Sequence, residues 1–292
     1  MRATPFVEVP GNNRVLGTVV PLLGLGADGS VVQSGSGFFV APGLLVTARH
    51  VVDDYWRQLT GERMTADAVA QLKDNAGFSI IASQLVDGHP VQWDIIRMFA
   101  ADPVDVVFLE AQRHDGAQLP NSWPVATFSF LPPSVGELIF AIGFPFQKYE
   151  TVGAQQFRWN QKASLAGGEV DEVHPHHRDS ARLPFPCFRT NARFEGGMSG
   201  GPVVNALGQV CGVICQSLPA NAPTEDHASY VSLLWPCLSF PFDNLAWVTP
   251  HPSTVTFRDL FENHVLDSPD WTAVTLSDDG RTATIRLAPT SR

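Results

Sequence analysis

The run Phe194-Glu195-Gly196-Gly197-Met198-Ser199-Gly200-Gly201-Pro202 sets one hydroxyl among four glycines, directly before the apolar pair Val203-Val204. Glycine reaches backbone conformations closed to other residues, so such a run can turn sharply, expose Ser199 and aim N–H groups at a developing oxyanion. That makes Ser199 a candidate nucleophile. A serine acts as one only with a base within hydrogen-bond reach and an acceptor that fixes the base's tautomer. His50, in Thr47-Ala48-Arg49-His50-Val51-Val52, follows one apolar run, and Asp105 opens another, Asp105-Val106-Val107-Phe108-Leu109. A hydrophobic core would give neither position to a polar group. Asp94 and Asp102 also precede strand-like runs, but Asp105 abuts its apolar run directly.

Gly197-Met198-Ser199-Gly200-Gly201 also satisfies G-x-S-x-G, the nucleophile elbow of α/β-hydrolases. An elbow needs a strand, a turn and then a helix. Ser199 is followed instead by Gly-Gly-Pro-Val-Val and a second β-rich run, Gln209 to Gln216, so the elbow is excluded on context. The order histidine, aspartate, serine is met by 50, 105 and 199.

The elements that must position these residues are short and numerous. Gly and Pro total 24 and 23, and Val/Ile/Phe-rich runs recur between them, which favours an all-β chain. Strands are expected over 14–20 and 30–47, with a turn at Pro42-Gly43, and again near 79–86, 91–99 and 105–110. Between them, Asp53 to about Ala76 reads as a helical excursion with Thr65 as N-cap before Ala66-Asp67-Ala68-Val69-Ala70-Gln71-Leu72. Residues 115–136 carry Pro120, Pro124, Pro132 and Pro133 and read as a linker. A second strand-rich block follows: 137–143, 156–163, 187–190, 202–205, 209–216 and 229–234. Each is short and bounded by Gly or Pro, as barrels require. After about Val248, Thr256 to Leu266 suits one helix, and Trp271 to Leu287 a hairpin turning at Asp278-Asp279-Gly280. The expected division is a barrel over 1–118 with His50 and Asp105, a linker over 119–135, a barrel over 136–248 with Ser199, and a helix-and-hairpin appendage over 249–292.

The 292 residues are 44% hydrophobic and 16% charged, enough for one large or two medium cores. A net charge of −10 repels phosphate backbones and anionic lipid, so nucleic acid and membrane surfaces are not expected partners. The apolar stretch from Val15 to Gly26 is interrupted by Pro21 and too short to span a bilayer. Arg14 precedes it, but no small-x-small cleavage site follows, and it reads as the first barrel strand. Cys187, Cys211, Cys215 and Cys237 all lie in the second half. Cys211 and Cys215 share a strand, and at about 3.3 Å per residue they are too far apart along it to bond. Without a secretion signal, buried free thiols and a reducing, cytoplasmic setting are expected.

Taken together, Gly35-Ser36-Gly37-Phe38, Thr47-Ala48-Arg49-His50-Val51, Asp105-Val106-Val107-Phe108-Leu109 and Gly197-Met198-Ser199-Gly200-Gly201-Pro202 resemble the trypsin-like serine protease superfamily. Ala141-Ile142-Gly143-Phe144-Pro145-Phe146 and the run Thr190 to Ser199 resemble its bacterial HtrA-like branch. The resemblance covers about residues 14–248 and leaves the tail unexplained; nothing after 248 is long enough for the PDZ domain that HtrA relatives usually add. It implies two six-stranded antiparallel β-barrels with the cleft between them. By the same resemblance Ser199 is the nucleophile, His50 the general base and then acid, and Asp105 its orienting carboxylate, while the backbone N–H groups of Gly197 and Ser199 form the oxyanion hole. The expected partner is a peptide or protein substrate. Secreted trypsins carry an aspartate before the nucleophile that pairs with a freshly cut N-terminus. Met198 cannot accept an ammonium, so an enzyme without that zymogen switch is expected, although Arg14-Val15-Leu16-Gly17 looks like a cleavage site.

The resemblance places the pocket for the side chain before the scissile bond (P1) near 193–196, 215–217 and 228–230, with Arg193, Phe194, Cys215, Ser217 and Tyr230 as candidates. Arg193 turned inward would favour acidic side chains; Phe194 turned inward would leave a shallow apolar pocket for small ones. Alternation admits only one. No cofactor is expected. His174-Pro175-His176-His177 could ligate a metal but reads better as an exposed loop, and Asp278-Asp279-Gly280 reads as a tight turn, not a calcium loop. The rival to an enzyme is a pseudoprotease that uses the cleft only to bind peptides.

Overall fold

A computed structural model describes residues 7–8, 17–62, 79–86, 89–101, 104–117, 126–145, 147–153, 156–160, 162–218, 228–245, 254–277 and 283–286. The first elements are β1 (Val7–Glu8), β2 (Val19–Leu25), β3 (Val31–Ala41), β4 (Leu44–Thr47), α1 (Arg49–Thr60), β5 (Ser79–Val86), β6 (His89–Ala101) and β7 (Val106–Arg113). Strands β2 to β7 close an antiparallel barrel in the order β2-β3-β4-β7-β6-β5. Strands β3, β4 and β7 are apolar on both faces because each face has a core to fill. Phe39, Leu45, Trp93 and Leu109 point into the barrel. Their neighbours Phe38, Val46 and Phe108 point the other way, into the core shared with the rest of the chain.

The first barrel strand runs Val19–Leu25, inside the apolar stretch from Val15 to Gly26 and later than the 14–20 of the local strand pattern. The helix also departs from expectation, because it begins at Arg49 and carries His50 in its first turn. Val51, Val52, Tyr55 and Trp56 form its buried stripe, and the Tyr55 hydroxyl bridges Leu25 and Ser79 at the barrel rim. Gly61, at φ +77, stops it in the left-handed conformation that favours glycine. The Thr65-capped segment lies outside the described residues.

The second half adds β8 (Leu138–Gly143), β9 (Lys148–Gly153), β10 (Gln156–Asn160), β11 (Ser164–His174), β12 (Cys187–Thr190), β13 (Pro202–Asn205), β14 (Val210–Leu218) and β15 (Ala228–Ser232). Because β8 pairs with both β11 and β13, the sheet β11-β12-β15-β14-β13-β8 closes into a second six-stranded barrel, with β1 added beside β11. The segment 156–163 is expected as a barrel strand; its strand part, Gln156–Asn160, pairs among the described residues with β9 in a separate hairpin. The barrel strand is the next segment, β11, whose Ala166-Gly167-Gly168 has little intrinsic strand preference. Gly168 is there for space: a Cβ would lie 2.4 Å from the Ala192 nitrogen. His174 ends β11 rather than lying in a loop, while His176 and His177 are exposed.

β16 (Pro241–Asp243) leads toward the tail, which contributes β17 (Thr254–Thr256), α2 (Phe257–Glu262), β18 (Val274–Leu276) and β19 (Ala283–Ile285). Thr256 and Asp259 cap α2 reciprocally. The helix and hairpin match expectation; the turn at 278–280 lies outside the described residues. Phe257, Leu260 and Phe261 are buried in the common core. The described part of the expected linker, 126–135, is tied down as well: Phe128 and Phe130 are buried, and Asp270 accepts from the Ser129 hydroxyl at 2.8 Å and the Phe130 N–H at 2.9 Å. Among the described residues no helix is long and apolar enough to cross a membrane.

Candidate active site

β4 and β7 are antiparallel neighbours with Thr47 opposite Val107, so the residues just beyond the end of one and before the start of the other must meet. His50 and Asp105 occupy those places. Asp105 uses both oxygens on the histidine: Oδ1 accepts the His50 backbone N–H at 2.9 Å, and Oδ2 faces Nδ1 at 2.7 Å. A carboxylate oxygen accepts, so Nδ1 carries the proton and Nε2 is the acceptor nitrogen of a neutral ring. Burial by itself would lower the imidazole pKa; the charge and hydrogen bond of Asp105, with Asp54 and Asp53 behind it, outweigh burial and raise it above 6.5. Asp53, on the same helix, is itself raised, chiefly by burial and against the pull of Arg49.

Ser199 lies across the cleft in a loop shaped by two glycines. The Met198 N–H donates to the Glu195 carbonyl at 3.0 Å, closing a turn whose third residue, Gly197, has φ +93, as type II turns require. Gly200 follows at φ +85. Space is as restrictive as conformation, since a Cβ on Gly197 would lie 2.7 Å from the Phe144 carbonyl oxygen. Among the described residues, neither the Gly197 nor the Ser199 N–H donates to a protein acceptor. His50, Asp105 and Ser199 line one cleft of about 800 Å³.

Residues 35–213 match the family of trypsin-like peptidase domains. The chain belongs to that family. Among solved structures, Rv3671c from M. tuberculosis H37Rv is 19% identical at a TM-score of 0.46, with 78% of this chain and 89% of that one covered. Deg5 is 18% identical at 0.49, covering 74% and 84%, and the serine endoprotease from Yersinia pestis is 18% identical at 0.47, covering 78% and 63%. No curated protein matches the sequence. The family assignment rests on the match over 35–213.

Of the five pocket candidates in this trypsin-like peptidase, Phe194, Cys215 and Ser217 line the cleft. Arg193 does not: it is half exposed and paired with Glu195 at 2.5 Å. Tyr230 lies buried behind, under the Arg178 guanidinium at 4.9 Å. Cys215 sits where β14 slips register between Ile214 and Gln216, and burial first, then the charge of Asp105, pushes its thiol pKa well up. Val104, Arg182 and Phe185 also line the cleft and are missed by sequence reasoning. Val104 directly precedes Asp105 and was legible by adjacency. Arg182 and Phe185 belong to an irregular segment whose composition carries no signal for a wall of the site. Ser36 was read only as part of a glycine motif, yet it touches the Ser199 loop directly.

Proposed function

We propose that this peptidase is a serine endopeptidase that hydrolyses peptide bonds through an acyl-enzyme, with Ser199 as nucleophile, His50 as base and acid, and Asp105 as the carboxylate that orients it. The observation that carries the reading is the two-point grip of Asp105 on His50 at the edge of a cleft that Ser199 shares. In this reading, the Ser199 hydroxyl attacks the substrate carbonyl as its proton passes to Nε2 of His50. The N–H groups of Gly197 and Ser199 receive the oxyanion, and His50 returns the proton to the leaving amine. Water, deprotonated by the same imidazole, then releases the acyl group from Ser199.

With Phe194 in the cleft and Arg193 turned out to Glu195, a small apolar P1 residue suits the pocket and an acidic one does not. Met198 is buried and apolar, which supports a peptidase without a trypsin-type N-terminal switch. Four buried free thiols support work in a reducing, cytoplasmic compartment.

The test is a fluorophosphonate probe together with a peptide library. Labelling at Ser199, cleavage after Ala or Val, and a fall of about 10⁶ in kcat for Ser199→Ala are expected. A protein that binds peptides but neither labels nor cleaves them would be a binding module instead.

A further inference from the structure

Ser36 lies on β3 of the first barrel and is fully buried, yet three of its hydrogen bonds reach the second barrel. Its N–H donates to the Ser199 carbonyl at 2.9 Å. Its hydroxyl donates to the Gly197 carbonyl at 2.7 Å and accepts the Phe144 N–H at 2.9 Å. Within its own barrel, the Ser36 carbonyl accepts the Thr47 hydroxyl at 2.7 Å.

Two peptide units of the nucleophile loop are thereby held at both ends. In the unit joining Gly197 to Met198, the oxygen is held by the Ser36 hydroxyl and the N–H by the Glu195 carbonyl. In the unit joining Ser199 to Gly200, the oxygen is held by the Ser36 N–H and the N–H by the Ile214 carbonyl at 2.9 Å. The N–H groups of Gly197 and Ser199 belong to the peptide units next to these, and their directions follow from them. Glycine alone does not secure this, because Gly197 could rotate to negative φ at little cost and turn its N–H away. The buried thioether of Met198 offers no ion pair to prevent that.

We propose that Ser36 is a positioning residue for catalysis: from the opposite barrel it locks the Gly197 and Ser199 carbonyls and so keeps both neighbouring N–H groups aimed at the developing oxyanion. The proposal rests on the serine endopeptidase reading above. Removing the hydroxyl leaves the Gly197 carbonyl and the Phe144 N–H buried without their partner, and rotation of the Gly197 peptide relieves part of that penalty.

Ser36→Ala is expected to lower kcat by about 10²-fold, the cost of one lost oxyanion donor, with KM within about twofold. Ser36→Thr, which keeps the hydroxyl, is expected to restore kcat to within about threefold of the parent. If Ser36→Ala fails to fold, Ser36→Cys fills the same space with a weaker donor and carries the same expectation. The second readout is the amide resonance of Gly197 in ¹⁵N-glycine-labelled protein, which needs no activity. It should move in the Ala or Cys variant and return in Thr. A parent that neither cleaves nor labels, with the Gly197 resonance still moving, removes the endopeptidase reading and leaves the hold of Ser36 on the loop intact. An unchanged kcat and an unmoved Gly197 resonance in the folded Ala or Cys variant overturn the proposal.

Discussion

His50 is held between two opposed influences, and their balance sets when the site can act. Burial favours the neutral ring; Asp105, at 2.7 Å, favours the charged one and prevails, so the pKa lies above 6.5. In its proposed role as general base His50 must be neutral, so kcat/KM should fall as pH drops through that raised value. Asp105→Asn removes the stabilising charge, which moves the acid limb to lower pH, and loses the Nδ1–H tautomer, which costs about 10⁴ in kcat. A pH profile of both proteins checks the two effects together, and a limb that does not move would mean that another group is the base. Gly200 makes a second demand at this scale. With φ +85 and a hypothetical Cβ 2.0 Å from the Thr47 hydroxyl and 2.2 Å from the Ser36 carbonyl, Gly200→Ala must push the loop away from the first barrel. Thermal denaturation should show it destabilised by at least about 1–3 kcal/mol, the cost of the backbone strain alone. The grouping of Ser199, His50 and Asp105 in one cleft is legible in the sequence because serine, histidine and aspartate in such settings have few other uses. Ser36 is not, since its partners outside the first barrel lie more than a hundred residues away and a buried serine in a glycine motif names none of them.

Elements were legible where a local pattern decides them and obscure where the partner does. The runs at 79–86, 187–190 and 202–205 read directly as strands because their apolar residues are flanked by turn formers. β11 was missed because Gly167 and Gly168 weaken its pattern; the strand exists because both flanks pair, with β8 on one side and β12 on the other. The first helix begins earlier than composition suggests, because Arg49-His50-Val51-Val52 looks like the end of a strand; Val51, Val52, Tyr55 and Trp56 form the buried stripe that packs it. α2 was legible from its cap and amphipathic spacing, but not its importance. Phe257 meets Phe108 at 4.9 Å, Phe261 at 5.1 Å and Phe128 at 5.9 Å between ring centres. Phe257→Ala therefore opens a cavity where the first barrel, the 128–130 segment and the tail converge, and urea unfolding should show a loss of about 3–5 kcal/mol. A loss below about 1 kcal/mol would mean that the cluster closes over the gap.

At the scale of the molecule, the tail fastens the frame that holds the two halves of the site. Arg97 of the first barrel pairs with Glu110 and donates to the carbonyls of Asp243 at 2.9 Å and Asn244 at 2.6 Å, fixing the strand that leads toward the tail. Asp270 and the Asp267 carbonyl hold the 127–131 segment between the barrels. Phe257 and Phe261 cover Phe128 and Phe130, which that segment buries. Composition suggests an appendage because a short helix and hairpin after two barrels has no counterpart in them; packing gives it another role. Deleting 249–292 strips one side of this aromatic cluster and leaves its remaining rings to water. With native stabilities of only about 5–15 kcal/mol, a loss of several large buried side chains exceeds what the remainder can absorb. The truncated chain should therefore be insoluble or unfold without cooperativity, and should fail to label with a fluorophosphonate even with Ser199, His50 and Asp105 all present. Cooperative unfolding with full labelling would instead make the tail a separable module, and the contacts of Phe257 and Asp270 incidental to the site.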